Sequence, residues 1–371
     1  MKKLLVILLV LGMVAPAMAA EWNMYGSARV KFFYRDSDKD ASGVVNSVGV
    51  AEDDLDLDMG LQGNARIGAN VKASDVVSGR FEYGTSNGNA NIRLLYGTWN
   101  FGPGSLEVGQ NYTPIDTLYS NQVVEDDNGL LYEGMAYEGR KALLKLTFGG
   151  FQVAFVQPNA DGVNSGTDVV IPKIELAYDL KMDMISVGGF GGYQTYSDTV
   201  GPGLDYDVNA WVIGGRGKFN FGPAYANFCV WYAQNASDYG LVVRQGWFTK
   251  ALATAGTPVS GIQVFDQNNT EDAKTFAGAV AVGAKFSDMV GIEGGIGYIK
   301  TKVDDPTPGS ADSLENASIT YYLQVPITLA PGVFIVPEIT VFDYGDVDIT
   351  GIPSIKQGKL TTYGAKFQIN F

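Results

Sequence analysis

The sequence predicts an all-β protein, a transmembrane antiparallel β-barrel of about sixteen strands with short turns at one end and long loops at the other. Three observations carry this prediction. The closing segment LTTYGAKFQINF alternates apolar and polar side chains, a longer alternation runs through residues 55–72, and the connections between such segments are either short or long. Because successive side chains of a strand point to opposite faces, the alternation predicts strands with one apolar and one polar face.

The start of the chain is predicted to be a secretory signal peptide. Two lysines precede an apolar run over residues 4–14, and the small-x-small pattern AMA follows at residues 17–19. These are the regions of a cleavable signal, so the mature chain is expected to begin at Ala20. A membrane anchor is less favoured, because a spanning helix needs about 20 apolar residues. Residues 1–19 are therefore assigned to the signal peptide and residues 20–371 to a single barrel domain.

The exported chain is acidic. Without the signal peptide it carries 24 Lys and Arg against 40 Asp and Glu, a net charge of −16. Phosphate binding needs clustered Lys and Arg, and no such cluster is seen, which argues against a nucleic-acid partner. The acidic balance fits a solvated surface or a water-filled lumen that favours cations. The single cysteine, Cys229, cannot form an internal disulfide, so strand pairing and burial must stabilise the fold.

The absence of histidine from the sequence excludes several common classes of enzyme. Neither Ser-His-Asp nor Cys-His catalysis is available, and neither is a histidine-based zinc site. A carboxylate pair could still hydrolyse glycosides, but no pair stands out among the 40 acidic residues. The sequence therefore predicts a protein that is not an enzyme, with no catalytic residue, no metal site and no cofactor.

The connections between the alternating segments are of two kinds, which themselves alternate along the chain. Seven are short turns, at residues 73–75, 101–104, 149–150, 181–183, 221–223, 287–289 and 330–332. Eight are long and polar, near residues 36–54, 84–90, 112–135, 157–168, 195–205, 234–273, 302–315 and 343–358. This order defines sixteen antiparallel strands with both chain ends on the short-turn side. Outer-membrane barrels have short periplasmic turns and longer extracellular loops in this arrangement.

Three segments resemble the general porins of Gram-negative outer membranes: EWNMYGSARV near the start, LEVGQNYTPIDTLY at residues 106–119, and FQINF at the end. The resemblance covers essentially all of residues 20–371. It implies a homotrimer of sixteen-stranded barrels in the cell outer membrane, surrounded by lipid, with a third loop folded into each lumen. It also implies that small hydrophilic solutes and ions diffuse through a water-filled channel.

The closing strand is the most specific part of the resemblance. In the porin family this strand ends in Phe, carries alternating apolar residues with an aromatic residue near its start, and is read by the barrel-assembly machinery. Tyr363, Phe367, Ile369 and Phe371 match that pattern and are implied to form the assembly signal. In the alternative interpretation, Phe371 only ends the last strand of a secreted sandwich. That alternative is less favoured, because the polar alternate positions need water.

The resemblance also implies a constriction, because general porins place basic residues on the wall opposite acids of the third loop. The third-loop acids are Asp116, Glu125, Asp126 and Asp127, and the expected basic wall is formed by Arg29, Arg66, Arg80 and Arg93. Strand alternation points Arg29 and Arg66 into the lumen. In the plainer interpretation, residues 125–129 are a solvated loop tip.

The predicted function is passive diffusion with a mild preference for cations, since the mature chain is acidic. Two alternatives share the barrel. A substrate-specific channel would show saturable transport, whereas a structural or adhesive barrel with a closed lumen would conduct nothing. A third alternative does not share the barrel: a secreted soluble lectin, which buffer without detergent would extract.

Overall fold

The computed structural model describes residues 20–38, 55–86, 89–159, 168–201, 204–241, 272–307, 311–351 and 353–371. The predicted signal peptide lies outside the described residues, as do most of the predicted loops 36–54 and 234–273. No helix in the described ranges is long and apolar enough to cross a membrane. One irregular helical turn, α1 (Val124–Asp127), and one 3-10 turn (Ala236–Tyr239) accompany the strands.

The described residues form twenty strands that close into one barrel. They are β1 (Glu21–Ser37), β2 (Leu55–Leu61), β3 (Arg66–Lys72), β4 (Val77–Ser86), β5 (Asn89–Asn100), β6 (Ser105–Tyr112), β7 (Arg140–Phe148), β8 (Phe151–Val156), β9 (Lys173–Lys181), β10 (Ile185–Gly201), β11 (Leu204–Phe221), β12 (Ala224–Gln234), β13 (Ala273–Lys285), β14 (Gly291–Thr307), β15 (Ala311–Gln324), β16 (Ile327–Ala330), β17 (Val333–Asp343), β18 (Asp346–Ile349), β19 (Ile355–Lys356) and β20 (Lys359–Asn370). Each pairs antiparallel with its neighbours. The sheet closes where β20 pairs with β1, from Ser27 opposite Asn370 to Ser37 opposite Leu360.

Some barrel strands are divided into two consecutive shorter strands. Both β2 and β3 pair with β1, and both β17 and β18 pair with β15. Likewise, β16 continues β15, and β19 leads into β20. Counted in this way, the described part of the chain is a closed antiparallel barrel of sixteen strands. The predicted fold class is confirmed.

The barrel is apolar outside and polar inside. Along β20, the outward-facing Phe367 and Ile369 are 45 and 53% exposed, whereas the inward-facing Thr362 and Lys366 are 3 and 8% exposed. A soluble protein buries its apolar face, so this pattern is reversed. It suits a barrel whose outer face contacts lipid and whose inner face contacts polar groups and water.

The predicted short turns are confirmed, whereas several predicted long loops are wrong. All seven short turns separate consecutive barrel strands. Three predicted long loops are mostly strand instead, at residues 84–90, 195–205 and 302–315. Polar side chains do not end a strand whose backbone groups remain paired: β10 continues to Gly201, with Ser197 opposite Asp207 on β11. The predicted loop 343–358 likewise contains β18 and β19.

The second barrel strand is interrupted, although its alternation predicts one continuous strand. Its first part pairs with β1 up to Leu61 opposite Val30, and its second part resumes at Arg66 opposite Ser27. Four residues of this strand therefore span only two residues of β1. We call residues 62–65 the β2–β3 turn. Two extra residues in one strand leave backbone groups free of the ladder and bend the chain out of the sheet.

Candidate functional site in the barrel lumen

The loop between β6 and β7, residues 113–139, folds into the barrel; we call it the third loop. On the wall formed by β12, Trp231 Nε1 donates to the carbonyl oxygen of Gly134 at 3.0 Å, and Asn227 Nδ2 donates to that of Tyr119 at 2.8 Å. The fully buried apolar side chains of the loop include Ile115, Leu130, Met135 and Ala136. The loop is therefore packed against the wall and narrows the lumen.

Two buried carboxylates of the wall hold the backbone of the third loop. Glu338 on β17 accepts hydrogen bonds from the N–H groups of Val123 and Val124 at 2.6 and 3.1 Å. Glu293 on β14 accepts one from the N–H of Asn121 at 2.8 Å. Three backbone N–H groups of the loop thus donate to two acids of the wall, so both acids position the loop. Sequence reasoning missed them, although each is a single acid at an inward position of an apolar strand.

The acidic tip of the third loop lies against the closing strands of the barrel. Asp127 accepts hydrogen bonds from Arg29 Nη1 at 2.6 Å and from Lys366 Nζ at 2.9 Å. The structure thus brings the expected Arg29 together with an expected acid. Lys366, on β20, was not among the predicted residues. Its inward position in the alternating segment AKFQINF was the available signal.

Three of the expected wall arginines surround an acid of the wall itself. Arg66 Nη1, Arg80 Nη2 and Arg93 Nε lie 3.3, 3.0 and 2.7 Å from the Glu82 carboxylate. Tyr25 OH donates to the same carboxylate at 2.7 Å. These arginines make their ion pairs within the wall and not with the third loop, which corrects the expected arrangement. The reason is proximity, because β4 with its inward-facing Glu82 lies between β3 and β5.

Charges of both signs nevertheless border one space. A lumen cavity of about 560 Å³ is lined by Arg66, Arg93, Arg140, Glu125, Asp126 and Asp127, among others. Arg80 instead lines a cavity of about 890 Å³ toward the short-turn end, together with Glu107. Fixed charges of opposite sign around a narrow space produce a field that acts on any ion passing through it.

Asp116 does not face the arginine wall, contrary to expectation. The residue is half-buried, and its carboxylate accepts hydrogen bonds from the N–H groups of Thr113 at 2.8 Å, Glu138 at 2.6 Å and Gly139 at 3.2 Å. It therefore joins the beginning of the third loop to its end. Burial raises the pKa of Asp116 to about 7, and the charge of Glu138 acts in the same direction, whereas the three N–H donors oppose the rise.

The expected assembly residues all lie on the outer surface of the closing strand. Tyr363, Phe367, Ile369 and Phe371 are 39, 45, 53 and 75% exposed. Phe371 also continues the pairing of β20 with β1, because its carbonyl oxygen accepts the Gly26 N–H at 2.6 Å and its own N–H donates to the Gly26 carbonyl at 3.0 Å. Their role in assembly stays a prediction.

Comparison with known proteins gives structural neighbours only. No protein-family model matches the chain, and neither does any curated protein. OmpT of Vibrio cholerae, described as an outer membrane protein in its trimer form, superposes with a TM-score of 0.60 at 14% identity, over 95% of this chain and 100% of that one. An anion-selective porin from Comamonas acidovorans gives 0.57 at 12% identity, over 95% and 100%.

A third similar structure is OmpF of Salmonella typhi in complex with daunomycin. It gives a TM-score of 0.58 at 15% identity, over 94% of this chain and 97% of that one. Identities this low establish a shared architecture and not a shared activity. The chain has the sixteen-stranded barrel fold of the general porins.

Proposed function

We propose that this chain is an outer-membrane channel through which small hydrophilic solutes and ions diffuse passively. The observation that supports this most is a polar lumen that the third loop narrows without filling. Cavities of about 560 and 890 Å³ remain there, lined by charged side chains. Barrels of sixteen strands are wide enough to enclose an aqueous channel.

The charged groups around the smaller cavity are proposed to form the constriction. The acids are Glu125, Asp126 and Asp127 on the loop tip, and the bases are Arg66 and Arg93 on the wall. Arg29 belongs to the same group through its ion pair with Asp127. Arg80 continues the basic wall toward the periplasmic end. Asp116 is proposed to brace the loop and takes no part in contacting solutes.

A mild preference for cations is proposed from the net charge of −16 on the exported chain. The lumen supports only a weak effect, because both arginines and carboxylates line its cavities. One structural neighbour, the porin from Comamonas acidovorans, is described as anion-selective, and the sign of the reversal potential distinguishes the two preferences.

Export, assembly and oligomeric state complete the proposal. Residues 1–19 would direct export, and the outward-facing Tyr363, Phe367, Ile369 and Phe371 would be read by the barrel-assembly machinery. A homotrimer in the outer membrane is supported by the trimer form described for OmpT of Vibrio cholerae. The chain is proposed to act as a channel and not as an enzyme.

The deciding experiment is single-channel recording of the detergent-purified protein in a planar lipid bilayer under a salt gradient. We expect large ohmic current steps, arriving in threes if the protein inserts as a trimer. The sign of the reversal potential gives the selectivity from the same preparation. Folding and insertion are verified in parallel by circular dichroism and by the change in the electrophoretic mobility of the protein after heating.

If protein that is folded and inserted gives no current, the channel proposal is overturned and a barrel with a closed lumen is favoured. Current that one class of solute blocks saturably would favour a substrate-specific channel. An anion-selective reversal potential would overturn only the proposed preference for cations.

A further inference from the structure

The β2–β3 turn presents hydrogen-bond donors to the tip of the third loop. Gln62 Nε2 donates to the carbonyl oxygen of Glu125 at 2.7 Å. The N–H of Gly63 donates to Asp126 Oδ1 at 2.7 Å. Asn64 Nδ2 donates to the carbonyl oxygen of Asp126 and to Asp127 Oδ2, both at 2.7 Å. Three consecutive residues of the β2–β3 turn thus contact three consecutive residues of the tip.

The tip needs such support, because its backbone is strained. Glu125 has φ 58° and ψ −115°, and Asp127 has φ 61°. Residues other than glycine rarely adopt these backbone angles. Such angles persist only where surrounding contacts fix the backbone. The donors of the β2–β3 turn are contacts of that kind.

The turn is itself held in place by the wall. The N–H of Gln62 donates to the carbonyl oxygen of Arg29 at 3.0 Å, and the N–H of Thr85 donates to that of Gly63 at 3.2 Å. Glycine at position 63 leaves room for the tip, because a Cβ there would lie 2.7 Å from Asp126 Oδ2 and 3.0 Å from the Thr85 carbonyl oxygen, so the Asp126 side chain would have to move. The β2–β3 turn therefore accommodates the Asp126 carboxylate beside Gly63.

We propose that the β2–β3 turn is a positioning site of the pore: together with Arg29 and Lys366 it fixes the acidic tip of the third loop in the lumen, and so sets the narrow section. Gln62, Gly63 and Asn64 are positioning residues, acting on permeation through Glu125, Asp126 and Asp127. The inference rests on the proposed channel function for its effect on permeation. Its structural part, that the turn holds the tip, is independent of that function.

Two substitutions test the proposal. Gly63→Ala places a methyl group against the Asp126 carboxylate. Asn64→Asp replaces the amide that donates to Asp127 with a carboxylate of the same shape, and so places a second negative charge beside Asp127. Gly60→Ala is the matched control, because it lies on the same strand and its added Cβ would meet nothing within 4 Å. Each full-length protein is examined by single-channel recording and by amide hydrogen exchange of residues 123–131.

We expect both test variants to lose the single steady current level and to lose protection of the tip amides from exchange. Gly60→Ala should keep both properties. Steady current and full protection in both test variants, in a protein that conducts, would overturn the positioning role. If the unchanged protein conducts no current, the channel proposal fails, and the exchange measurement still decides whether the turn holds the tip.

Discussion

Three arginines of the barrel wall share a single carboxylate, that of Glu82. Arg66, Arg80 and Arg93 all lie within 3.3 Å of it, and the Glu82 side chain is 1% exposed. A charge removed from water costs free energy unless it is paired and hydrogen-bonded. The arrangement of this wall therefore depends on one acid more than on any one of its bases.

Glu82→Gln is expected to lower the free energy of unfolding by about 3 kcal/mol, because Arg93, whose side chain is 8% exposed, and the partly buried Arg66 lose their anionic partner. Urea titration of the folded protein in detergent measures the loss. The reversal potential should also move toward anion preference. Glu315→Gln is the control: Glu315 is 32% exposed and pairs at 3.0 Å with Lys300, which is 40% exposed, so about 1 kcal/mol or less is expected. Equal losses would contradict the central role of Glu82.

At the scale of the element, the closing strand β20 serves three environments. It pairs with β17 on one side and with β1 on the other, and so removes both free edges of the sheet. Its inward face carries Lys366, which holds the tip of the third loop. Its outward face carries the apolar residues proposed to be read during assembly. The alternation seen in the sequence separates these roles onto two faces of one strand.

Phe371→Ala separates assembly from stability. The Phe371 residue is 75% exposed and so packs little against the rest of the barrel, and the folded barrel should therefore lose about 1 kcal/mol or less on urea titration in detergent. If the ring is part of an assembly signal, the amount of folded barrel in the outer membrane of intact cells should fall far more than this stability change explains. Leu323→Ala, at an outward position of β15 and 49% exposed, is the control. Equal yields from the two variants would indicate that Phe371 only ends the strand.

At the scale of the whole molecule, periodicity predicted the barrel, because side-chain alternation is imposed on each strand separately. The same periodicity concealed the β2–β3 turn. An insertion of two residues keeps the phase, so Leu61 and Ile67 both remain at outward positions on either side of it. The pairing of Arg66 and Arg93 with Glu82 depends on which strands lie side by side, and charge counting along the chain does not contain that information. The polar stretch at residues 195–205 was misassigned because hydrogen bonding, and not polarity, decides where a strand ends.

The net charge of residues 20–371 gives the last prediction. A preference for cations that arises from the charge of −16, spread over the barrel and its loops, acts over distances longer than the lumen contacts. Salt screens such a field, since the Debye length falls from about 10 Å at 0.1 M to about 3 Å at 1 M. Reversal potentials measured in potassium chloride gradients should therefore show cation preference at low salt that nearly disappears at high salt. Selectivity that persists at high salt would instead locate its origin within a few ångströms of the permeating ion, at Asp127 and the arginines bordering the same cavity.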